Sequence, residues 1–181
     1  MLLALLVLLG ALAVGYARGG SLDHLGHLPL RRKRIVVAAL VLQVLGGLAG
    51  GWRYPLGLAL SALLVSVFLV LNRGVRGTGL VALGLASNAL VVALNAAMPV
   101  SGDAMGRARL STQDILSGAD PRHELIGPGT RAAWLADRVP VFLPGRTEIV
   151  SAGDVLVAAG LAELVVAGMG SRRRLRATAA R

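Results

Sequence analysis

Three sets of side chains have types and spacings that could do chemistry. Asp23-His24-Leu25-Gly26-His27 places two imidazoles three residues apart beside a carboxylate, a spacing that can hold a metal ion if the segment is helical. Gly19, Gly20, Gly26 and Pro29 work against a rigid helix there, and no third ligand cluster is in view, so solvated histidines are the expectation. Further on, His123 and Glu124 could act as a general base or metal ligand, and Asp137-Arg138 could form an ion pair. Hydrolysis would also need a nucleophile or a metal shell. Ser101, Ser111, Thr112, Ser117 and Thr130 stand in no recognisable catalytic frame. The third set is Gln43, Asn88 and Glu163, polar residues inside long apolar runs. Counted from the expected cytoplasmic ends at Ile35, Gly79 and Ser171 they lie 8, 9 and 8 residues in, roughly 12 to 14 Å by helical rise, so the sequence predicts one shared polar layer. A hydrogen-bonded layer around a neutral Glu163 is the first reading; a proton- or cation-coupled site and a partner contact are the others.

The elements that must position these residues follow from composition. The chain has 181 residues, 55% of them hydrophobic and only 15% charged, against roughly 25% charged in soluble domains. Its mean hydropathy is +0.71. Five apolar runs, residues 2–17, 35–51, 55–71, 79–98 and 154–170, approach the roughly 17 to 25 residues needed to cross a bilayer. With no cysteine, the chain can form no disulfide, thiolate nucleophile, iron–sulfur cluster or cysteine zinc site.

Basic residues orient the runs. The first connection carries Arg18, Arg31, Arg32, Lys33 and Arg34, the second only Arg53, the third Arg73 and Arg76, and the tail 171–181 five arginines. Alternate connections are basic, which predicts an N-terminus outside and a C-terminus in the cytoplasm. The net charge of +10 therefore reads as topology and contact with anionic lipid, not nucleic-acid binding. Ala11-Leu12-Ala13 resembles a signal-cleavage site, but positive charge follows the apolar run instead of preceding it, so a retained span is expected. Trp52 and Tyr54 should anchor the turn between runs two and three at the outer interface, with Pro55 opening the next helix. Gly46, Gly47, Gly50 and Gly51 form overlapping Gly-x-x-x-Gly pairs that suit close helix packing, within the chain or with a second subunit.

The segment 99–153 balances six arginines with six acids and punctuates itself with Ser111-x-x-Asp114, Gly118, Asp120-Pro121, Thr130, Pro140 and Pro144, which predicts short helices joined by turns. Leu125, Ile126, Trp134, Leu135, Val139, Val141, Phe142 and Leu143 are too apolar for a free linker, so the segment should pack as a cap. At its end, Ser151-Ala152-Gly153-Asp154 has the spacing of a helix-start box.

Asn95-Ala96-Ala97-Met98-Pro99-Val100-Ser101, the run from His123 through Gly129-Thr130-Arg131 to Leu135-Ala136-Asp137-Arg138-Val139-Pro140, and Ser151-Ala152-Gly153-Asp154-Val155-Leu156 together resemble a family of small bacterial membrane proteins, frequent in actinobacteria and known as a domain of unknown function. The resemblance spans essentially the whole chain and is most specific over 95–154. This sequence departs from it by extra residues around 142–148. It implies a bacterial inner-membrane protein and directs attention to Asn95, His123, Glu124, Arg131, Trp134, Asp137 and Asp154, at the cap and its junctions.

The expected architecture is an all-α membrane protein. Four spans occupy 1–98, an extracytoplasmic cap of short helices 99–153, a fifth span 154–170 and a basic tail 171–181. The expected role is a non-enzymatic accessory or scaffold subunit that packs with other membrane proteins or lipids and uses no cofactor. A transporter or channel component built on the polar layer is the second reading, and an outer-face lipid-modifying enzyme the third.

Overall fold

The computed structural model describes residues 2–49, 53–120 and 122–170. The chain is mostly helical. Its apolar runs form α1 (Leu2–Ala17), α3 (Arg34–Ala49), α4 (Arg53–Leu71), α5 (Thr78–Asn95) and α8 (Ala152–Met169). Two of them, α5 and α8, are long and apolar enough to cross a membrane, while α1 and the apolar stretches of α3 and α4 are shorter. A five-residue helix, α2 (Leu22–Gly26), starts at Ser21, whose hydroxyl accepts the His24 N–H. Gly19, Gly20, Gly26 and Pro29 were expected to work against a rigid helix here. One capped turn forms nonetheless, because Ser21 satisfies a free N–H that the glycines cannot.

Helix α8 is central and packs on both α1 and α5. Contact with α5 depends on small residues in register. A methyl group added at Gly160 would lie 2.6 Å from the Gly77 carbonyl oxygen, and one at Gly84 would strike the Gly153 carbonyl. Gly77 and Gly84, and Gly153 and Gly160, are each seven residues apart, two helical turns, so one bare stripe on each helix meets the other. Gly77 also has φ +86°, which a side chain would strain. Against α1, the buried Ala11, Val165 and Met169 form the core. Helices α3 and α4 form a separate hairpin that touches α5 only lightly. At its crossing, a methyl group on Gly57 would lie 2.8 Å from the Leu42 carbonyl oxygen and 3.0 Å from the Gly46 Cα, so Gly46 packs within the chain. Gly47 is in α3, but its surroundings, like Gly50, Gly51 and Trp52, lie outside the described residues, as do the side chains of Gln43 and Tyr54.

The segment between α5 and α8 corrects the all-α expectation. It contains β1 (Met98–Val100), α6 (Gly102–Ala108), α7 (Gln113–Leu116), β2 (His123–Leu125), a 3-10 turn at Ala133–Leu135, β3 (Val139–Leu143) and β4 (Arg146–Val150). Strands β1 and β2 pair in parallel, and β3 and β4 antiparallel with Leu143 opposite Arg146. The hairpin follows from its residues. Pro144-Gly145 is a two-residue turn with Gly145 at φ +79°, flanked by β-branched and aromatic side chains. Read as helix punctuation, the same prolines hid the strands; Pro140 leaves its neighbours free to pair, as an edge position permits. After Asp120, where a helix start was expected, strand β2 follows instead.

Two ends emerge. The cap lies beside the start of α8, the end of α5 and the start of α1, where the Leu2 and Leu3 N–H groups donate to the Glu148 carboxylate of β4. At the other end, Ser21 N–H donates to the Met169 carbonyl, and Asn72 at the end of α4 clasps Arg31 through its N–H and C=O.

Candidate functional site

The polar residues cluster at the junction of cap and helices. The Ser151 hydroxyl accepts the Asp154 N–H at 3.0 Å while Asp154 accepts the Ser151 N–H at 3.1 Å, a reciprocal cap that satisfies two free donors at the start of α8. Asn88, from the facing stripe of α5, joins them: its amide N–H donates to Asp154 Oδ1 at 2.8 Å, and its carbonyl accepts the Ser151 hydroxyl at 3.0 Å. Asn88 can approach this closely because Gly153 leaves room; a side chain there would collide with its amide oxygen.

The structure does not bring Asn88 and Glu163 together. Asn88 faces the first turn of α8, and Glu163 lies nine residues beyond Asp154, roughly 13 Å along the helix. The register of the antiparallel pair explains this: Gly84 meets Gly153 and Gly77 meets Gly160, so Glu163 falls level with the start of α5. Counting depth from the ends of the apolar runs took Asn88 too far from the cap, because Gly77 at the start of α5 meets Gly160, well short of the end of α8 at Met169, so the two ends do not share a depth. Glu163 is exposed and lines a cavity of about 700 Å³ with Arg18 and Arg76.

Asn95 ends α5 and fastens the cap. Its amide accepts the Arg131 N–H at 2.8 Å and donates to the Arg131 carbonyl at 2.9 Å, a two-bond clasp that mimics a strand pair. Arg131 thus contributes its backbone here. His123 and Asp120 bond at 2.7 Å through the imidazole Nδ1. Burial opposes the charge on Asp120, but the bonds from His123 and Arg122 outweigh it and hold the carboxyl below its ordinary value. Among the described residues, the bond to Asp120 is the one that orients the His123 ring. Glu124 pairs in register with Pro99, and its side chain is half-buried. Trp134 is 72% exposed on the 3-10 turn, while its neighbour Leu135 is buried. In the first connection, His24 bonds to Ser21 and His27 to the Asp23 carbonyl.

Asp137 is the outlier. It is only 7% exposed, yet its Oδ1 has no hydrogen-bond partner among the described residues. Its backbone is fully used: the N–H donates to Pro99 and the carbonyl accepts from Ser101. Burial first, and then the charge of Asp154, push the carboxyl up to about 7. Sequence reasoning marked Asp137 as half of an ion pair with Arg138. The better signal was its place in Trp-Leu-Ala-Asp-Arg-Val-Pro-Val-Phe, an acid within an apolar run. Ser151 and Asn72 were missed as tertiary anchors, since a capping serine and a terminal asparagine look locally satisfied.

Comparison with known proteins fits this frame. A family described as "Family of unknown function (DUF5317)" matches residues 27–166, and the chain belongs to it. A Thermotoga maritima protein described as "Uncharacterized protein" is 32% identical over 104 residues, covering 56% of this chain and 58% of that relative. The chain thus spans little more than half the length of the curated relative it matches. No solved structure matches.

Proposed function

We propose that this protein spans the bacterial inner membrane five times, with the cap outside and the C-terminus in the cytoplasm, and serves as a non-enzymatic subunit that packs against other membrane proteins and lipids. One observation carries the reading: the α3–α4 hairpin is apolar on faces that none of the described residues covers. Leu40 is 61% exposed and Leu48 80%, and on α4 Leu63 and Val70 are similarly bare. In water such surfaces would drive aggregation; in a bilayer they meet acyl chains or the helices of a partner. Charge placement supports the orientation. Arg18, Arg31, Arg32, Lys33, Arg34, Arg73 and Arg76 belong to connections at the end opposite the cap, where the positive-inside rule wants them.

A loosely attached helical hairpin suits a docking subunit because it can adjust to a partner without disturbing α1, α5 and α8. Transport through a layer of Asn88 and Glu163 draws no support from their separation. Purification from its host in mild detergent tests the proposal. The expected result is a second membrane protein retained at fixed stoichiometry and lost when Leu40 and Leu63 are both changed to Ser. Recovery of this chain alone, under conditions that preserve its fold, would contradict it.

A further inference from the structure

We propose that the cavity between α6, α7, β2 and the β3–β4 hairpin binds a small amine, a primary or secondary ammonium on a short apolar body, with Asp137 as the partner of the ammonium. The cavity measures about 540 Å³, room for a small organic molecule and far more than a bare ion needs. Val100, Met105, Leu110, Ile115 and Ile149 supply an apolar wall. Asp114, Asp120, Asp137 and Glu148 line it against one guanidinium, Arg146, so the field inside favours a cation and opposes an anion.

Within that lining the carboxylates differ. Asp120 is engaged by His123 and Arg122, and Glu148 by Arg146 and the first N–H groups of α1. Asp137 Oδ1 is the buried acceptor without a partner among the described residues, in a side chain that borders the cavity. A carboxylate at the cavity wall with one oxygen already unpartnered calls for a donor and a counter-charge, and an ammonium offers up to three N–H donors and no acceptor. A divalent cation fits less well, since among the described residues no three His, Asp or Glu side chains converge at metal-ligating geometry. A neutral apolar guest would offer the Asp137 carboxylate neither donor nor counter-charge. The site lies wholly in the cap and is independent of the α3–α4 surface, so it goes beyond the assembly reading and can fail separately from it.

Proton and ammonium compete for Asp137. The groups around it are Asp114 from α7, Asp120 and His123 at β2, Arg146 and Glu148 from β4, and Asp154 from α8. Protonation of Asp137 removes the charge that an ammonium pairs with, so affinity should rise with pH through about 7.

Isothermal titration of the full chain in mild detergent with n-butylamine, n-butanol and calcium chloride tests this. The expected result is saturable butylamine binding that is about tenfold tighter at pH 8 than at pH 6 and weakened about tenfold or more by Asp137→Asn. Equal binding of butanol, preferential binding of calcium, or an absence of saturable butylamine binding would each overturn the proposal. Should Asp137→Asn fail to fold by circular dichroism, the pH series on the unaltered chain decides: a flat series overturns the site, and a rise through neutrality, with several-fold weakening by Asp114→Asn, upholds it.

Discussion

Asn88 shows how the cap is fastened by few side chains, and Asp137 how one carboxyl is held buried within it. Asp137 titrates near 3.8 in an unfolded chain and about 7 in the fold. Between those values the folded state holds a proton that the unfolded state has released. Its contribution to stability is therefore greatest below about 3.8 and declines as pH rises, until it levels off above 7. Asp137→Asn carries no charge at any pH, so melting temperatures in detergent should show the variant gaining on its parent between pH 5 and pH 8. An unchanged difference across that range would mean that the carboxyl is not held in a desolvated place. Asn88→Leu should lower stability by roughly 1 to 3 kcal/mol, because Ser151 loses its acceptor and Asp154 a donor in a packed interface. A melting temperature equal to that of the parent would show that water replaces the amide there. Both residues stand out in the sequence as polar letters in apolar runs. The link from Asn88 to the helix-start box did not, because Ser151 lies 63 residues further along the chain and the two meet only once α5 and α8 fall into register.

At the scale of elements, the helices were legible from apolar run length alone, and their boundaries fall within a few residues of the runs. The α5–α8 contact was less legible. Attention went to Gly46, Gly47, Gly50 and Gly51, whose four-residue spacing is the familiar packing signal, while the tightest contact uses glycines seven apart on two helices. That contact predicts that Gly160→Val lowers stability by about 1 to 3 kcal/mol or more, since the new side chain meets the Gly77 carbonyl and Val81 N–H instead of open space. Gly10→Ala, with nothing within 4 Å, should be neutral, and thermal melts of the two variants provide the comparison. Equal effects would place the helix crossing elsewhere. The cap was legible as an ordered unit but not as β structure. Strands of three to five residues are too short for periodicity to reveal, and β1 pairs with β2 across more than twenty intervening residues.

For the whole molecule, the cap lies at one end of the α5–α8 axis and the basic connections at the other. The central claim is that this axis crosses the membrane with the cap outside. The chain contains no cysteine, so a single introduced thiol reports its own position without background. Ser111 lies exposed in the cap, and Gly74 lies exposed at the other end with open space around it. Labelling of intact cells with a membrane-impermeant maleimide is the most direct test. The account predicts that Ser111→Cys reacts in intact cells while Gly74→Cys reacts only after permeabilisation; reaction of Gly74→Cys in intact cells with protection of Ser111→Cys would contradict it.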